Sequence, residues 1–188
     1  MREATFPELY FRILDEADIT DEIDRSIRAS LVECYPKNRE HFSRMRWWHS
    51  HQSWTVMAVE SGGEVAAGLS IVERCIQVGE KGLSLNIAGV GNVFALPRWR
   101  KKGVIDQIMI LALKEARKRG LEAGLLFCIP PLEKVYRRMG WKKINTTVTM
   151  HDESGFDIPV PEKNIIMVVP ITIETFPDGE IHLMGRDW

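Results

Sequence analysis

Pro97-Arg98-Trp99-Arg100-Lys101-Lys102-Gly103-Val104 stands between a strand-like segment and an amphipathic helix, and its reading decides the fold. Arg98, Arg100, Lys101 and Lys102 crowd the positive end of that helix, where cations are unfavourable. A helix start tolerates such charge best when an anion docks there, because its unpaired N–H groups and its dipole attract phosphate. Downstream, Ile105, Ile108, Met109, Ala112 and Ala116 recur on one helical face. Lys114, Arg117, Lys118 and Arg119 take the other face and the last turn, and Gly120 is placed to stop the helix. A short apolar strand, Gly124 to Ile129, comes next. Pro130-Pro131 then opens a helix that carries Tyr136 and ends in Arg137-Arg138-Met139-Gly140-Trp141.

Upstream, Leu9 to Leu14 reads as a strand. Thr20 is the expected N-cap of a helix with Asp21 and Glu22 in its first turn and an apolar stripe of Ile23, Ile27, Leu31 and Cys34. Pro36-Lys37-Asn38 ends that helix, and a polar segment leads to Arg46-Trp47-Trp48-His49. Trp54 to Glu60 and Val65 to Val78 flank Ser61-Gly62-Gly63 as a hairpin, and Gly79 to Gly82 turns into a long strand from Leu83 to about Ala95. Trp141 to Met150 and Ile165 to Ile173 read as strands, residues 151–163 as a Pro- and acid-rich loop, and Phe176-Pro177-Asp178-Gly179 as a turn into the tail. The fold class is α/β (α+β): a mixed, largely antiparallel twisted sheet with helices on both faces, in one domain spanning 1–188.

Composition narrows the function. The chain has 188 residues, 45% hydrophobic and 27% charged, with a net charge of -1, which excludes a general polyanion binder and makes the basic run a local feature. Cys34, Cys75 and Cys128 lie far apart in apolar surroundings, as buried reduced thiols do, and no metal is expected. The N-terminus has no signal-peptide core and no apolar run approaches bilayer length, so the cytoplasm is the expected location.

The phosphate-type loop, helix, strand and Tyr136-x-x-x-Gly140-Trp141 turn together resemble the GNAT superfamily of N-acetyltransferases, from Leu9 to Trp188. The family's Arg/Gln-x-x-Gly-x-Gly/Ala motif stands here as Arg100-Lys101-Lys102-Gly103-Val104-Ile105, departing at Ile105. Two branches are similar. The aminoglycoside 2′-N-acetyltransferases share Trp99-Arg100, the Tyr-x-x-x-Gly-Trp turn and an ending on Asp and Trp. The rhizobial nodulation N-acyltransferase shares the turn region Ile76-Gln77-Val78-Gly79-Glu80 and the spacing of Glu174, Pro177, Gly179 and Ile181.

The resemblance implies acetyl-CoA as cosubstrate. Lys101, Lys102, Gly103, Val104, Ile105 and Asp106 would offer N–H groups to the pyrophosphate, with Arg98, Arg100, Lys101 and Lys102 adding charge-assisted contacts; the competing reading is a solvated basic loop. Val93, Phe94 and Ala95 would line the pantetheine and polarise the acetyl carbonyl, or else form ordinary core strand. Tyr136 would be the acid that protonates the departing thiolate, since a phenol of pKa about 10 suits that task; otherwise it is a half-buried tyrosine.

The general base is harder to place. The aminoglycoside branch carries an acidic residue where Gly91 stands here, and no carboxylate between Leu83 and Ala95 replaces it. Glu73, an ordered water chain and the carboxylate of Trp188 are the candidates, with His49 and His51 behind them. The tail Gly185-Arg186-Asp187-Trp188 is expected to face the amine. The acceptor pocket is expected to draw on that tail and on Asn38 to His51, where the aromatic, partly cationic run Arg44-Met45-Arg46-Trp47-Trp48 suits a sugar, an aromatic amine or an acyl chain better than a polyamine. The expected activity is acetyl transfer to a primary amine of a small molecule, an amino sugar among the options. A longer-chain N-acyltransferase using acyl-CoA or acyl carrier protein, and a non-catalytic acyl-CoA-binding protein, are the alternatives. The partner is a small-molecule amine, with neither nucleic acid nor membrane, and a homodimer is the assembly considered.

Overall fold

The computed structural model describes residues 6–160 and 164–188; residues 1–5 of the expected leaderless N-terminus and 161–163 of the expected loop lie outside the described residues. Two compact units divide the chain, Met1–Ile71 with Asn92–Ala112, and Val72–Gly91 with Leu113–Trp188. Together they contain a mixed, largely antiparallel sheet with helices.

In the first unit, β1 (Leu9–Asp15) pairs antiparallel with β2 (Trp54–Glu60), and β2 pairs antiparallel with the first half of β3 (Val65–Val78). Thr20 caps α1 (Asp21–Cys34) by accepting the Ile23 N–H at 3.4 Å. Ile27 and Leu31 of the expected stripe are buried, and they meet Phe42, Met57, Val59, Val65 and Phe94 in a core cluster. Gly68 is required there: a Cβ on it would stand 2.9 Å from the Phe94 ring. A short helix, α2 (Arg39–Arg44), occupies the segment expected to be merely polar. Its Phe42, only 1% exposed, is the reason it forms, because one buried aromatic anchors a helix too short to stand alone.

The second unit contains the rest of the sheet. With β4 (Leu83–Ala95), β5 (Ala123–Cys128), β6 (Lys142–Ile144), β7 (Val148–His151), β8 (Asp157–Pro159), β9 (Ile165–Pro170) and β10 (Ile181–His182), the strand order is β6-β9-β5-β4-β3-β10-β7-β8. The β4–β5 and β10–β7 pairs are parallel; β5–β9, β6–β9, β3–β10 and β7–β8 are antiparallel. Register with β5 ends at Val90↔Leu126. Ile76, Ile87, Leu125, Met150, Val168 and Leu183 are among the buried residues of this unit's core.

Four further sequence expectations need correction. The strand foreseen over Trp141–Met150 is two strands, because β6 pairs with β9 while β7 pairs with β8 and β10, at opposite ends of the strand order. The loop after Met150 contains β8, and the tail contains β10. Only Cys128 of the three free thiols is fully buried; Cys34 is partly exposed and Cys75 exposed. α3 (Val104–Lys118) ends as foreseen: Gly120 at φ +76 lets its N–H reach Arg117 O at 3.1 Å while the Leu121 N–H reaches Ala116 O at 3.0 Å. Those paired bonds form a Schellman cap. Among the described residues no helix is long and apolar enough to cross a membrane.

Candidate active site

The basic segment lies wholly in the first unit. Pro97–Trp99 forms a 3-10 turn whose Trp99 is buried, with its indole N–H donating to Glu60 Oε1 at 2.5 Å. Arg98 donates through Nε to the same oxygen at 2.9 Å and through Nη2 to Glu64. The Trp99 N–H, and after it Arg98, hold the Glu60 carboxyl below its ordinary range. Arg98 therefore fastens the turn to the β2–β3 hairpin. Arg100 donates through Nε to Ala95 O at 3.0 Å, and Lys102 Nζ lies 4.8 Å over the Trp99 ring.

Lys101 at φ +60 and Gly103 at φ +85 bend the backbone into left-handed conformations just before α3. A Cβ at Gly103 would meet only Asp106 Oδ2, at 3.8 Å, so φ rather than space demands glycine. Val104 begins the helix, Ile105 is half-buried, and the Gln107 N–H already donates to Gly103 O at 3.1 Å. The N–H groups of the first turn have no intrahelical acceptor, and two exposed lysines precede them. This chemistry fits a diphosphate such as that of CoA: a positive helix end, left-handed backbone and compact ammonium groups.

The strand leading to this segment is firmly held. Val93 O accepts the Tyr35 hydroxyl at 2.6 Å, and burial pushes the Tyr35 phenol up to about 12. Desolvation likewise raises the neighbouring Cys34 thiol, with Arg100 opposing it. Phe94 and Ala95 are buried. The carbonyls of Val93 and Ala95 thus already have donors.

The expected acceptor run changes character in the structure. Arg46 is 2% exposed, with its guanidinium donating to Asp24 Oδ1 at 2.9 Å, to Glu16 and to Gln52, so its charge is neutralised inside the unit. The mouth is accordingly less cationic than its sequence suggests. Trp48 and Met45 are exposed, and His41 stacks on Trp48 with ring centroids 4.1 Å apart. A cavity of about 440 Å³ is lined by Lys37, Asn38, Glu40, His41, Arg44 and Met45.

The second unit holds the other expected residues. Tyr136 is buried in α4 (Glu133–Arg138) and packs edge-on against Trp141, centroids 6.4 Å apart. The Gly140 N–H donates to Arg137 O at 3.0 Å and the Trp141 N–H to Tyr136 O at 3.2 Å, with Gly140 at φ +92. The Tyr-x-x-x-Gly-Trp signature is therefore a Schellman cap in which the tyrosine and tryptophan form the accompanying apolar contact.

Glu73 Oε1 lies 3.4 Å from Arg119 Nη1. The Trp188 indole packs directly over Gly89, where a Cβ would come within 2.5 Å of it, beside Phe127 at 5.6 Å and under the Arg74 guanidinium at 5.4 Å. Burial pulls Arg74 down and Asp187 opposes this.

His151, Asp157 and His182 bring three potential metal-ligand atoms within 4.8 Å of one another. Sequence reasoning missed the cluster because its members lie on three strands that only the tertiary pairing joins. The Met184 N–H donates to His182 Nδ1 at 2.9 Å, so neutral His182 carries its proton on Nε2 and donates it to Asp157 Oδ1 at 2.8 Å. A metal would need a lone pair on Nε2, where the proton sits in this arrangement, so the trio reads as a hydrogen-bonded clamp among β7, β8 and β10.

Comparison with known proteins adds to this geometry. The sequence family described as acetyltransferase (GNAT) domain matches residues 15–144. No curated protein sequence matches the chain. Among solved structures, a GNAT family N-acetyltransferase (YhbS) from Escherichia coli in complex with CoA is 14% identical with a TM-score of 0.61, covering 97% of this chain and 94% of its own. A GNAT family acetyltransferase from Brucella melitensis in complex with acetyl-CoA is 15% identical, TM-score 0.58, covering 92% and 94%. An aminoglycoside 6′-N-acetyltransferase complexed with coenzyme A is 14% identical, TM-score 0.58, covering 89% and 99%. At such identities the likeness concerns the fold.

Proposed function

The chain belongs to the GNAT family of acetyltransferases, and from that premise we propose that it transfers an acetyl group from acetyl-CoA to a primary amine of a small molecule. The observation that carries the donor half is the left-handed Lys101 and Gly103 pair before α3, with Lys101 and Lys102 exposed. Segment 101–106 binds the pyrophosphate, and Val93–Ala95 lines the pantetheine and thioester. Arg98 and Arg100 shape that segment more than they meet phosphate, because Glu60, Glu64 and Ala95 already engage them.

In the reaction the amine attacks the thioester carbonyl, the C–S bond breaks, and the amine's proton leaves to a base. Tyr136 gives its phenolic proton to the CoA thiolate, and solvent restores it. Glu73 and the C-terminal carboxylate of Trp188 are the acceptor-side candidates for that base, with an ordered water chain as the remaining route. Gly91 in place of the branch carboxylate separates this chain from the aminoglycoside 2′-N-acetyltransferases at the base, although their Tyr-x-x-x-Gly-Trp turn is present. The exposed Trp48, with His41 stacked on it, supports an acceptor with an apolar face, such as the ring of an amino sugar. We take the whole of 1–188 to act as one domain. The net charge of -1 supports a small-molecule acceptor over nucleic acid, and we take the setting to be cytoplasmic.

The test is thiol release from acetyl-CoA against a panel of amino sugars, aromatic amines and polyamines, repeated with longer acyl donors. The expected result is release with an amino sugar and acetyl-CoA. Preference for a long acyl chain would make the protein an N-acyltransferase of the nodulation type. CoA binding with no release from any amine would make it a binding protein.

A further inference from the structure

Asn92 has φ +48 inside β4, one of three described residues other than glycine with positive φ. A left-handed residue in a strand persists only where its surroundings over-determine it, and such outliers gather at functional sites. Here the surroundings are explicit. Asn92 Nδ2 donates to Arg46 O at 2.7 Å, and Gln52 Nε2 donates to the same oxygen at 3.2 Å. The Arg46 side chain is in turn fixed by Glu16, Asp24 and Gln52, and Asp24 accepts from Arg28 at 2.6 Å. Two cations and two carboxylates thus hold one carbonyl in place, and a hydrogen-bonded buried network of this kind specifies a single geometry.

Immediately after Asn92 the strand is pinned again, by Tyr35 on Val93 O and by the Phe94 ring against Gly68. A left-handed residue re-aims the peptide groups that follow it, as a bulge does. Glycine would allow the same φ without an anchor, whereas asparagine supplies both the tolerance and the bond.

We propose that Asn92 and Arg46 form a positioning pair: the Asn92 amide, held on the Arg46 carbonyl, aims the Val93–Ala95 backbone at the thioester. This rests on the acetyltransferase reading above. Neither side chain touches reacting atoms; the pair acts through the backbone that a developing oxyanion needs already in place. It also ties the donor strand to segment 45–53, so that the backbone presenting the acyl group and the loop carrying Trp47 and Trp48 share one fixed point.

Asn92→Asp and Asn92→Gly test it. Both residues tolerate a left-handed backbone; the first removes the donor without changing shape, and the second removes the anchor altogether. The expected result is a fall in kcat of about 10- to 100-fold, the scale of a misplacement near 1 Å. CoA affinity by calorimetry should stay within about two-fold, because segment 101–106 holds the diphosphate. The melting temperature of Asn92→Gly should change little, since relief of strain offsets the lost bond. An active parent whose two variants keep parental kcat overturns this proposal alone. A loss of activity matched by a collapse in melting temperature and CoA affinity in both variants assigns the pair to the fold and also overturns it. A parent that releases no thiol overturns the acetyltransferase reading, and this proposal with it.

Discussion

Tyr136 is both the residue whose carbonyl closes the cap of α4 and, in the proposed reaction, the acid that meets the thiolate. Its ring is buried against Trp141, so deleting the whole side chain would confound packing with chemistry. Tyr136→Phe separates them, since it keeps the ring in the cap contact and removes one hydroxyl. The fold and acetyl-CoA binding should survive, while turnover falls by roughly 10²–10⁴-fold, the usual span for a lost general acid. Steady-state kinetics on the cognate amine read this directly, and turnover within a few-fold of the parent would return Tyr136 to a packing role. Gly89 poses the complementary residue-level constraint, because only a missing Cβ lets the Trp188 indole lie over β4. Neither partner of that contact is a neighbour in sequence, so no local reading of the tail could have found it.

In the proposed reaction the loop-to-helix junction before α3 carries the donor half of the site, and its dependence on conformation separates two substitutions. Gly103→Ala meets no steric obstacle, since the nearest atom to the new Cβ is 3.8 Å away, but it puts a side chain at φ +85. It should weaken CoA binding modestly, by an amount on the order of the 1–3 kcal/mol such strain costs. Gly103→Glu adds a carboxylate to the same strain, against the phosphates, and should abolish binding; unchanged affinity by calorimetry would move the diphosphate elsewhere. The Gly120 cap was legible in the sequence, as were β2, β3, β4 and α3, because their signals are local: periodicity, a stop residue, a turn; Gly140 was legible as a turn, and its role as a cap emerged from the structure. The missed elements α2, β8 and β10 are short and exist through tertiary contacts, such as Ile181 pairing with Val78 on one side and Val148 on the other. The site divides the same way. The turn at Lys101–Gly103, the proposed diphosphate segment, could be read from charge and glycine alone. The diversion of Arg98 to Glu60 and Glu64, and of Arg46 to Glu16 and Asp24, could not, because those partners lie 22 to 38 residues away.

Over the whole molecule, the boundaries between the two compact units fall at Ile71/Val72, Gly91/Asn92 and Ala112/Leu113, inside β3, β4 and α3. Melting one unit alone would sever the hydrogen bonding of two strands and one helix at mid-length, whereas independent domains part at exposed linkers. The chain should therefore unfold in one step. Its free cysteines report on each unit separately: Cys34 belongs to the first and Cys128 to the second, and burial raises both thiols, which slows their labelling in the native state. Exposed Cys75 serves as the fast reference. In a urea titration with pulsed thiol labelling, Cys34 and Cys128 should lose protection at the same midpoint, coincident with far-UV circular dichroism. CoA adds a sharper discrimination, because its proposed diphosphate site lies wholly in the first unit. At about 100 Kd it should stabilise what it binds by about 2.7 kcal/mol. If 1–188 is one cooperative domain, that increment must move the midpoint at Cys128 as far as the midpoint at Cys34. A shift confined to Cys34 would show that the two units fold independently.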